Sequence, residues 1–166
     1  IYDAIGGWFG IDPREWVPEF NSITAKTIHL RINSPGGSVF DAQAMKTAIA
    51  QHPSRVVAHV DGMAASAATT LAIAAREVEM TNGAMWLIHN AWGLAMGGAE
   101  DLESYADLLR KATSAIAQDY VRKTGKTIAQ VKAWMDAETW FTASEAKRHG
   151  FVDRIFEDKP GARGAS

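Results

Sequence analysis

Ser66 and His89 are the residues of this sequence best placed to do chemistry together. Ser66 lies in Asp61-Gly-Met-Ala-Ala-Ser66-Ala-Ala, where a β-forming segment gives way to the small apolar residues of a predicted helix. His89 ends the apolar run Met85-Trp-Leu-Ile-His89. A serine hydroxyl can attack a carbonyl group when a neighbouring imidazole accepts its proton. Ser66 is therefore a candidate nucleophile, and His89 is a candidate base.

Both residues also have a structural interpretation. Ala, Ser and Thr cluster where a helix packs closely against its neighbours, and a single histidine at the end of a strand is more often structural than catalytic. The other four histidines have no motif around them, since His29 and His59 lie within predicted strands and His52 and His149 at predicted helix ends. The residues alone leave packing and catalysis both open.

An acyl-transfer site also needs backbone amides for the oxyanion and a group that orients the base. The amide of Ala67, at the start of the predicted helix, is one candidate. The pair Gly36-Gly37 is a second candidate because glycine lets backbone approach a ligand closely. Asp136 and Glu138 are the acidic candidates, and their alternative interpretation is that of solvated charges near a helix end.

Alternating strands and helices must position these residues. Thr27 to Ile32 is a predicted strand, and the turn formers Asn33-Ser-Pro-Gly-Gly37 separate it from a helical pattern. The order repeats with a strand over Arg55 to Val60, a turn at Asp61-Gly62 and a helix over Ala64 to Ala75. Two successive βα units predict parallel strands with right-handed crossovers. The predicted fold class is α/β.

A long amphipathic helix dominates the second half of the chain, from about Ala99 to Lys123. Its apolar stripe recurs at spacings of three or four and fits either the core or a subunit interface. The stripe consists of Leu102, Tyr105, Leu109, Ala112, Ile116 and Tyr120. The other predicted elements are strands over Glu77 to Met80, Met85 to His89 and Phe151 to Phe156, a helix over Thr127 to Met135 and a helix that begins with the capping box Thr142-Ala-Ser-Glu145.

Composition limits the classes of function. A chain of 166 residues with 47% hydrophobic content predicts one domain, which we place at residues 1–158 with a disordered tail at 159–166. The 17 basic and 19 acidic residues are scattered, so nothing indicates nucleic-acid or membrane binding. The absence of cysteine excludes thiol nucleophiles and fits a reducing compartment. We expect a soluble, cytoplasmic protein that acts on proteins or peptides.

Taken together, several separated blocks resemble the Clp peptidase (ClpP) family. Ile32-Asn-Ser-Pro-Gly-Gly37 is similar to its oxyanion loop, Gly62-Met-Ala-Ala-Ser66 to its nucleophile motif and Ile88-His89 to its histidine motif. Thr142-Ala-Ser-Glu-Ala146 with Gly150-Phe-Val-Asp153 resembles its closing segment. The blocks occur in the family's order and cover nearly the whole chain, from about Ile23 to Phe156.

The resemblance implies a ClpP/crotonase-like spiral of repeated β-β-α units with a protruding helix-strand handle at about residues 91–124. By position it assigns Ser66 as nucleophile, His89 as base and then acid, and the amides of Gly37 and Ala67 as the oxyanion hole. It implies no metal or other cofactor. The implied assembly is a homo-oligomer of rings, with ATP-driven unfolding left to a separate partner because this chain has no nucleotide-binding loop.

The acidic member departs from the family pattern. An ungapped count back from Trp140-Phe-Thr-Ala143 places Glu138 where the family has an aspartate. A glutamate can orient the histidine in such a site. Asp136 is the rival, and a Ser-His pair without an acid is a third possibility.

The blocks Ile5-Gly-Gly-Trp-Phe-Gly10 and Glu138-Thr-Trp-Phe-Thr-Ala143 resemble the phage and prophage branch of the family, which is associated with prohead maturation. Capsid or scaffold proteins would then be partners. Three alternatives stay open: a catalytically decayed ring or shell component, a crotonase-fold acyl-CoA enzyme, and a serine-lysine peptidase that uses Lys111 or Lys123. No motif links either lysine to Ser66.

Overall fold

A curled, mostly parallel sheet lies at the centre of the fold. The computed structural model describes residues 1–7 and 10–156, and in this part of the chain the sheet has six strands. The strands are β1 Thr27–Ser34, β2 Arg55–Ala65, β3 Glu77–Thr81, β4 Met85–Ile88, β5 Thr139–Thr142 and β6 Arg154–Phe156. The α/β class is confirmed.

Helices follow most of the strands. They are α1 Pro13–Asn21, α2 Val39–Gln51, α3 Ala67–Ala74, α4 Ala99–Thr124, α5 Ile128–Asp136 and α6 Ala143–His149. Local sequence sets several of their ends. The side chains of Ser38 and Thr127 cap α2 and α5, and Thr142 and Glu145 form the predicted capping box of α6. Gly125 and Gly150 end α4 and α6 in the left-handed conformation.

Strand β2 organises the sheet because it changes partner along its length. One edge pairs in parallel with β1, from Thr27↔Arg55 onward. On the other edge, the first half of β2 pairs with β3 and the second half, from Met63 to Ala65, pairs with β4. The end of β2 is thereby directed towards β4, the strand that precedes His89.

The predicted turn at Asp61-Gly62 is wrong. Strand β2 continues through both residues to Ala65 because β4 pairs with its last three residues, and helix α3 begins at Ala67 rather than Ala64. The chain turns at Ser66 instead. Two elements were not predicted from the sequence: α1, which contains two prolines, and the four-residue strand β5, which pairs antiparallel with β4.

The core lies between the sheet and helices α2 and α3. Its fully buried side chains include Ile32, Met45, Leu71 and Trp86. Strand β1 alternates between exposed and buried residues, as expected of a strand that covers this core on one face.

Helix α4 is buried only near its C-terminal end, where Ala117 and Tyr120 join the core and the buried Asp119 forms ion pairs with Lys46 and Arg122. Its first turns and the preceding residues 90–98, which have no regular secondary structure in this single chain, are mostly exposed. Helix α4 covers most of the predicted handle region. The handle itself, like the domain bounds, stays a prediction. Trp8 and Phe9 of the Ile5–Gly10 block, together with the predicted disordered tail, lie outside the described residues.

Candidate active site

Ser66 occupies a strained turn between β2 and α3. Its backbone dihedrals are φ 55° and ψ −127°, a region that residues other than glycine rarely adopt. Hydrogen bonds hold both of its backbone groups. The Ser66 N–H donates to the carbonyl of Leu87 at 2.9 Å, and the Ser66 carbonyl accepts from the N–H and the hydroxyl of Thr69 at 3.0 and 2.6 Å. The turn therefore presents the Ser66 hydroxyl in a fixed direction.

His89 lies directly opposite this hydroxyl. The distance from His89 Nε2 to Ser66 Oγ is 2.6 Å, within hydrogen-bonding range. Sheet register produces the contact, because Ala65, the last residue of β2, pairs with Leu87 of β4, and Ser66 and His89 directly follow the two strands. The His89 side chain is only 14% exposed. This arrangement allows the imidazole to accept the serine proton.

The two acidic candidates occupy different positions. The Glu138 Oε1 atom lies 3.7 Å from His89 Nδ1, too far for a direct hydrogen bond, and the Glu138 side chain is 75% exposed. Glu138 also has a positive φ of 47°. Asp136 instead accepts a hydrogen bond from Asn90 Nδ2 at 2.8 Å. Of the two, Glu138 is the one whose carboxylate lies within 4 Å of the histidine ring.

Gly36 and Gly37 form a loop pressed against the nucleophile. A Cβ atom at Gly36, where φ is 91°, would lie 2.6 Å from the Ala65 carbonyl oxygen and 2.8 Å from Ser66 Cβ. A Cβ atom at Gly37, where φ is 152°, would lie 2.1 Å from the Ile5 carbonyl oxygen. Glycine is therefore required at both positions. The Gly-Gly pair was the signal in the sequence, but it did not show that Gly36 contacts Ser66.

The backbone amides of Ala67 and Gly37 are the candidates for stabilising an oxyanion. Ala67 is the first residue of α3, so its N–H has no partner within the helix. On either side of Gly37, the Gly36 N–H donates to Ser34 Oγ at 3.1 Å and the Ser38 N–H to the Ile5 carbonyl at 2.8 Å. In the described parts of the chain no acceptor pairs with the N–H of Gly37 itself.

Gly37, Ser66 and His89 line one open cavity of about 530 Å³. The rest of its lining is mainly apolar: Pro35, Val39, Leu87, Ala91, Trp92 and Leu94. A smaller cavity of about 180 Å³ adjoins it, between the start of α2 and helix α4. The larger cavity offers a peptide a mostly apolar surface beside a serine-histidine pair.

Within residues 1–7 and 10–156, no three His, Cys, Asp or Glu side chains are grouped so that they could hold a metal ion. Among the same residues, no helix is both long enough and apolar enough to cross a bilayer.

A model of the Clp protease family matches residues 21–159. The chain belongs to the Clp protease family. The resemblance seen in the separated sequence blocks is therefore confirmed at the level of the family, and the members of this family are serine peptidases.

Individual relatives agree with the family assignment. The chain is 35% identical over 163 residues to the ATP-dependent Clp protease proteolytic subunit 1 of Leifsonia xyli, covering 90% of this chain and 82% of the relative. It is 32% identical over 136 residues to the ATP-dependent Clp protease proteolytic subunit of Streptococcus gordonii, covering 80% and 69%.

A solved structure of a ClpP1 mutant from Listeria monocytogenes shares the fold. Its TM-score is 0.82 at 25% identity, and the match covers 96% of this chain and 90% of that chain. The predicted ClpP-like α/β fold is confirmed, including its curled sheet with packed helices. The phage or prophage branch is not distinguished by any of these matches.

Proposed function

We propose that this chain is the proteolytic component of a Clp-type serine endopeptidase, with Ser66 as the nucleophile and His89 as the general base. The observation that carries the proposal is the 2.6 Å contact between His89 Nε2 and Ser66 Oγ at a turn whose backbone is held on both sides. The relatives named as Clp protease proteolytic subunits support the same reaction class.

The reaction needs two acyl-transfer steps. His89 takes the proton as the Ser66 oxygen attacks the peptide carbonyl carbon. The amides of Gly37 and Ala67 stabilise the negative charge that develops on the peptide carbonyl oxygen. Protonated His89 then gives the proton to the leaving amine, so the peptide bond breaks and an acyl-enzyme remains. Water, deprotonated by His89, attacks the ester and restores the free serine. No step consumes a nucleotide.

Glu138 is the orienting acid in this proposal. Its carboxylate favours the His89 tautomer that carries the proton on Nδ1 and stabilises the imidazolium that forms during attack. The 3.7 Å separation and the exposure of Glu138 make this assistance weak. Movement of the carboxylate by about 1 Å towards Nδ1 would form the hydrogen bond. The site therefore alternates between a Ser-His-Glu triad and a Ser-His pair.

The handle supplies the contact between copies. The segment 90–98 and the start of α4 expose an unusual set of large apolar side chains: Trp92 at 70%, Leu94 at 91%, Met96 at 99%, Leu102 at 44% and Leu108 at 41%. Surfaces of this kind mark protein interfaces. A homo-oligomer of stacked rings, as the family resemblance implies, would bury part of this surface and leave Trp92 and Leu94 beside the cavity that they line. Truncation of the handle should then leave small oligomers, whereas an unchanged mass by light scattering would refute this assignment.

The biological setting is a phage or prophage, where the cytoplasmic assembly would cleave head proteins or flexible segments presented by a separate ATP-dependent unfoldase. The sequence motif Glu138–Ala143 supports assignment to the phage branch of the family, and the Ile5–Gly10 block adds support from its sequence alone. Portal and capsid genes beside the coding sequence would agree with head maturation. A neighbouring unfoldase gene without capsid genes would instead indicate a degradative role.

A serine-directed fluorophosphonate tests the catalytic proposal. The assembled wild type should be labelled and should hydrolyse a fluorogenic peptide, and Ser66→Ala should lose both properties. A correctly assembled wild type that shows neither would favour the alternative of a decayed ring or shell component.

A further inference from the structure

A buried chain of hydroxyl groups runs from helix α4 to the turn that carries Ser66. The Tyr120 hydroxyl lies 2.6 Å from Thr69 Oγ1, and Thr69 Oγ1 lies 2.6 Å from the carbonyl oxygen of Ser66. Thr69 is completely buried, and Tyr120 is 1% exposed. Neither residue lines the cavity that contains Ser66 and His89. Their contact with the site is therefore made through the backbone.

The direction of both hydrogen bonds follows from their chemistry. A carbonyl oxygen can only accept, so the single hydroxyl proton of Thr69 points to Ser66. Tyr120 must then donate to Thr69. Burial raises the pKa of the Tyr120 phenol well above its usual range, so the phenol keeps its proton. Donation by Tyr120 also strengthens the bond that Thr69 donates, because hydrogen bonds in a chain polarise one another.

The Ser66 carbonyl shares a planar peptide unit with the N–H of Ala67. Fixing the direction of the carbonyl oxygen therefore fixes the direction of this N–H, which points the opposite way. The Ala67 nitrogen lies beside the cavity-lining Gly36, 3.0 Å from where a Cβ atom of that residue would be. The Ser66 backbone lies in a rarely populated region, so the peptide plane would rotate to relieve strain unless it were held. The hydroxyl chain supplies that restraint from the side of α4.

We propose that Thr69 and Tyr120 are positioning residues that aim the Ala67 amide at the oxyanion. The inference rests on the proposed function, because it assumes that Ser66 forms a tetrahedral adduct with its substrate. It assigns to the buried end of α4 a role in transition-state stabilisation rather than in substrate binding. Loss of the chain should lower kcat while KM changes little.

The size of the effect is limited because the Ser66 carbonyl keeps one partner. The backbone N–H of Thr69 also donates to it, at 3.0 Å, and does not depend on the side chain. Removal of a whole oxyanion donor lowers kcat by about 10² to 10³-fold. A donor that is present but points in a less favourable direction should lower kcat less than a missing donor does. We therefore expect Thr69→Val to lower kcat by about 10-fold and Tyr120→Phe by about 3-fold.

The experiment compares five variants of the full chain in its assembled form. Thr69→Val removes the hydroxyl at nearly constant volume, and Thr69→Ser restores it. Thr70→Val is the matched control, because the Thr70 hydroxyl makes the same kind of bond in the same helix, at 2.7 Å, but to the Ala67 carbonyl. Tyr120→Phe cuts the chain at its far end. The double variant Thr69→Val with Tyr120→Phe leaves no buried hydroxyl without a partner.

Two readouts separate positioning from stability. The first is kcat and KM on a fluorogenic peptide, and the second is the affinity of a peptide aldehyde, which forms a tetrahedral adduct with the serine. We expect Thr69→Val and the double variant to lose kcat and aldehyde affinity by the same factor, with KM within about 2-fold of wild type. Thr69→Ser and Thr70→Val should match wild type.

An unchanged kcat in Thr69→Val, or an equal loss of kcat in Thr70→Val, would overturn the inference. It would also be overturned if the double variant recovered both the thermal stability and the kcat that Thr69→Val alone had lost. If Thr69→Val fails to fold, Tyr120→Phe decides the question by the same readouts. Failure of the proposed function would look different. In that case the wild type itself would show no Ser66-dependent turnover or aldehyde binding.

Discussion

The Ser66-His89 pair and Glu138 belong to one candidate site but are held in place very differently. The pair is placed by the paired strands β2 and β4, is mostly buried and makes a 2.6 Å contact. Glu138 follows the end of α5, has a positive φ and is 75% exposed, and its carboxylate stays 3.7 Å from the imidazole. Ser66 also lies at a turn with positive φ, but hydrogen bonds to Leu87 and Thr69 fix that turn, whereas the Glu138 side chain extends into solvent and can move away.

This difference predicts an unequal division of the catalytic effect. Proton transfer between Ser66 and His89 depends on geometry that the sheet imposes. The electrostatic help from Glu138 depends on an exposed side chain whose charge water screens. We therefore expect the pair to carry most of the rate enhancement, and the following variants test that ranking from the largest expected effect to the smallest.

Removal of either member of the pair should nearly abolish activity. We expect Ser66→Ala and His89→Gln each to lower kcat on the order of 10⁴-fold or more, because the two residues act as one unit and losses of this size are seen for such pairs. Hydrolysis of a fluorogenic peptide at saturating substrate measures the effect. A double variant no worse than either single variant would confirm that they act together.

Gly36→Ala should have the next largest effect. Its Cβ would lie 2.6 Å from the backbone oxygen of Ala65, so the loop must shift away from Ser66. A displacement of about 1 Å at a reacting group can cost about 10²-fold in rate. Gly83→Ala is the matched control, because a Cβ at Gly83 meets nothing within 4 Å. Equal activity of the two variants would contradict the close packing of the loop on the nucleophile.

Glu138→Gln should lower kcat much less than the loss of Ser66 or His89 does. Loss of a buried, hydrogen-bonded aspartate from a triad costs about 10⁴-fold, and the exposure and distance of Glu138 reduce our expectation to about 10-fold. Asp136→Asn is the control and should change activity less than 2-fold, roughly, because an asparagine oxygen can still accept from Asn90. The reverse ranking would transfer the acidic role to Asp136.

Glu138→Asn should separate the function of this residue from its strain. Asparagine adopts positive φ more readily than glutamate, so we expect the free energy of unfolding to stay equal or to rise by up to about 1 kcal/mol. Activity should fall as it does in Glu138→Gln. Chemical denaturation followed by fluorescence measures stability. A clear loss of stability in Glu138→Asn, with none in Glu138→Gln, would show that the turn does not strain residue 138.

The sequence predicted the parts of the site that depend on regular structure. Ser66 and His89 stood at the ends of predicted elements, and a parallel sheet brings such ends together. The turn was misplaced because Asp61-Gly62 has the composition of a turn, while the tertiary pairing of Met63 to Ala65 with β4 keeps these residues extended. This pairing with a distant strand cannot be predicted from the local composition.

Contacts between distant segments were the hardest to predict. Gly36 contacts Ser66 from the loop after β1, and Tyr120 of α4 is linked to Ser66 through Thr69, so both contacts join segments that are far apart in the sequence. Tyr120 was assigned to the apolar stripe of the long helix, which its burial agrees with, but its hydroxyl partner could not be read from a periodic pattern. The 3.7 Å distance from Glu138 to His89 likewise depends on a turn whose positive φ no motif indicated.

The most direct test of the central claim is to map the fluorophosphonate adduct by mass spectrometry and to measure its rate of formation in wild type, His89→Gln and Glu138→Gln. We predict one adduct, on Ser66, that forms on the order of 10³-fold more slowly without His89 and about 10-fold more slowly without Glu138. An adduct on another residue, or equal rates in wild type and His89→Gln, would contradict the account.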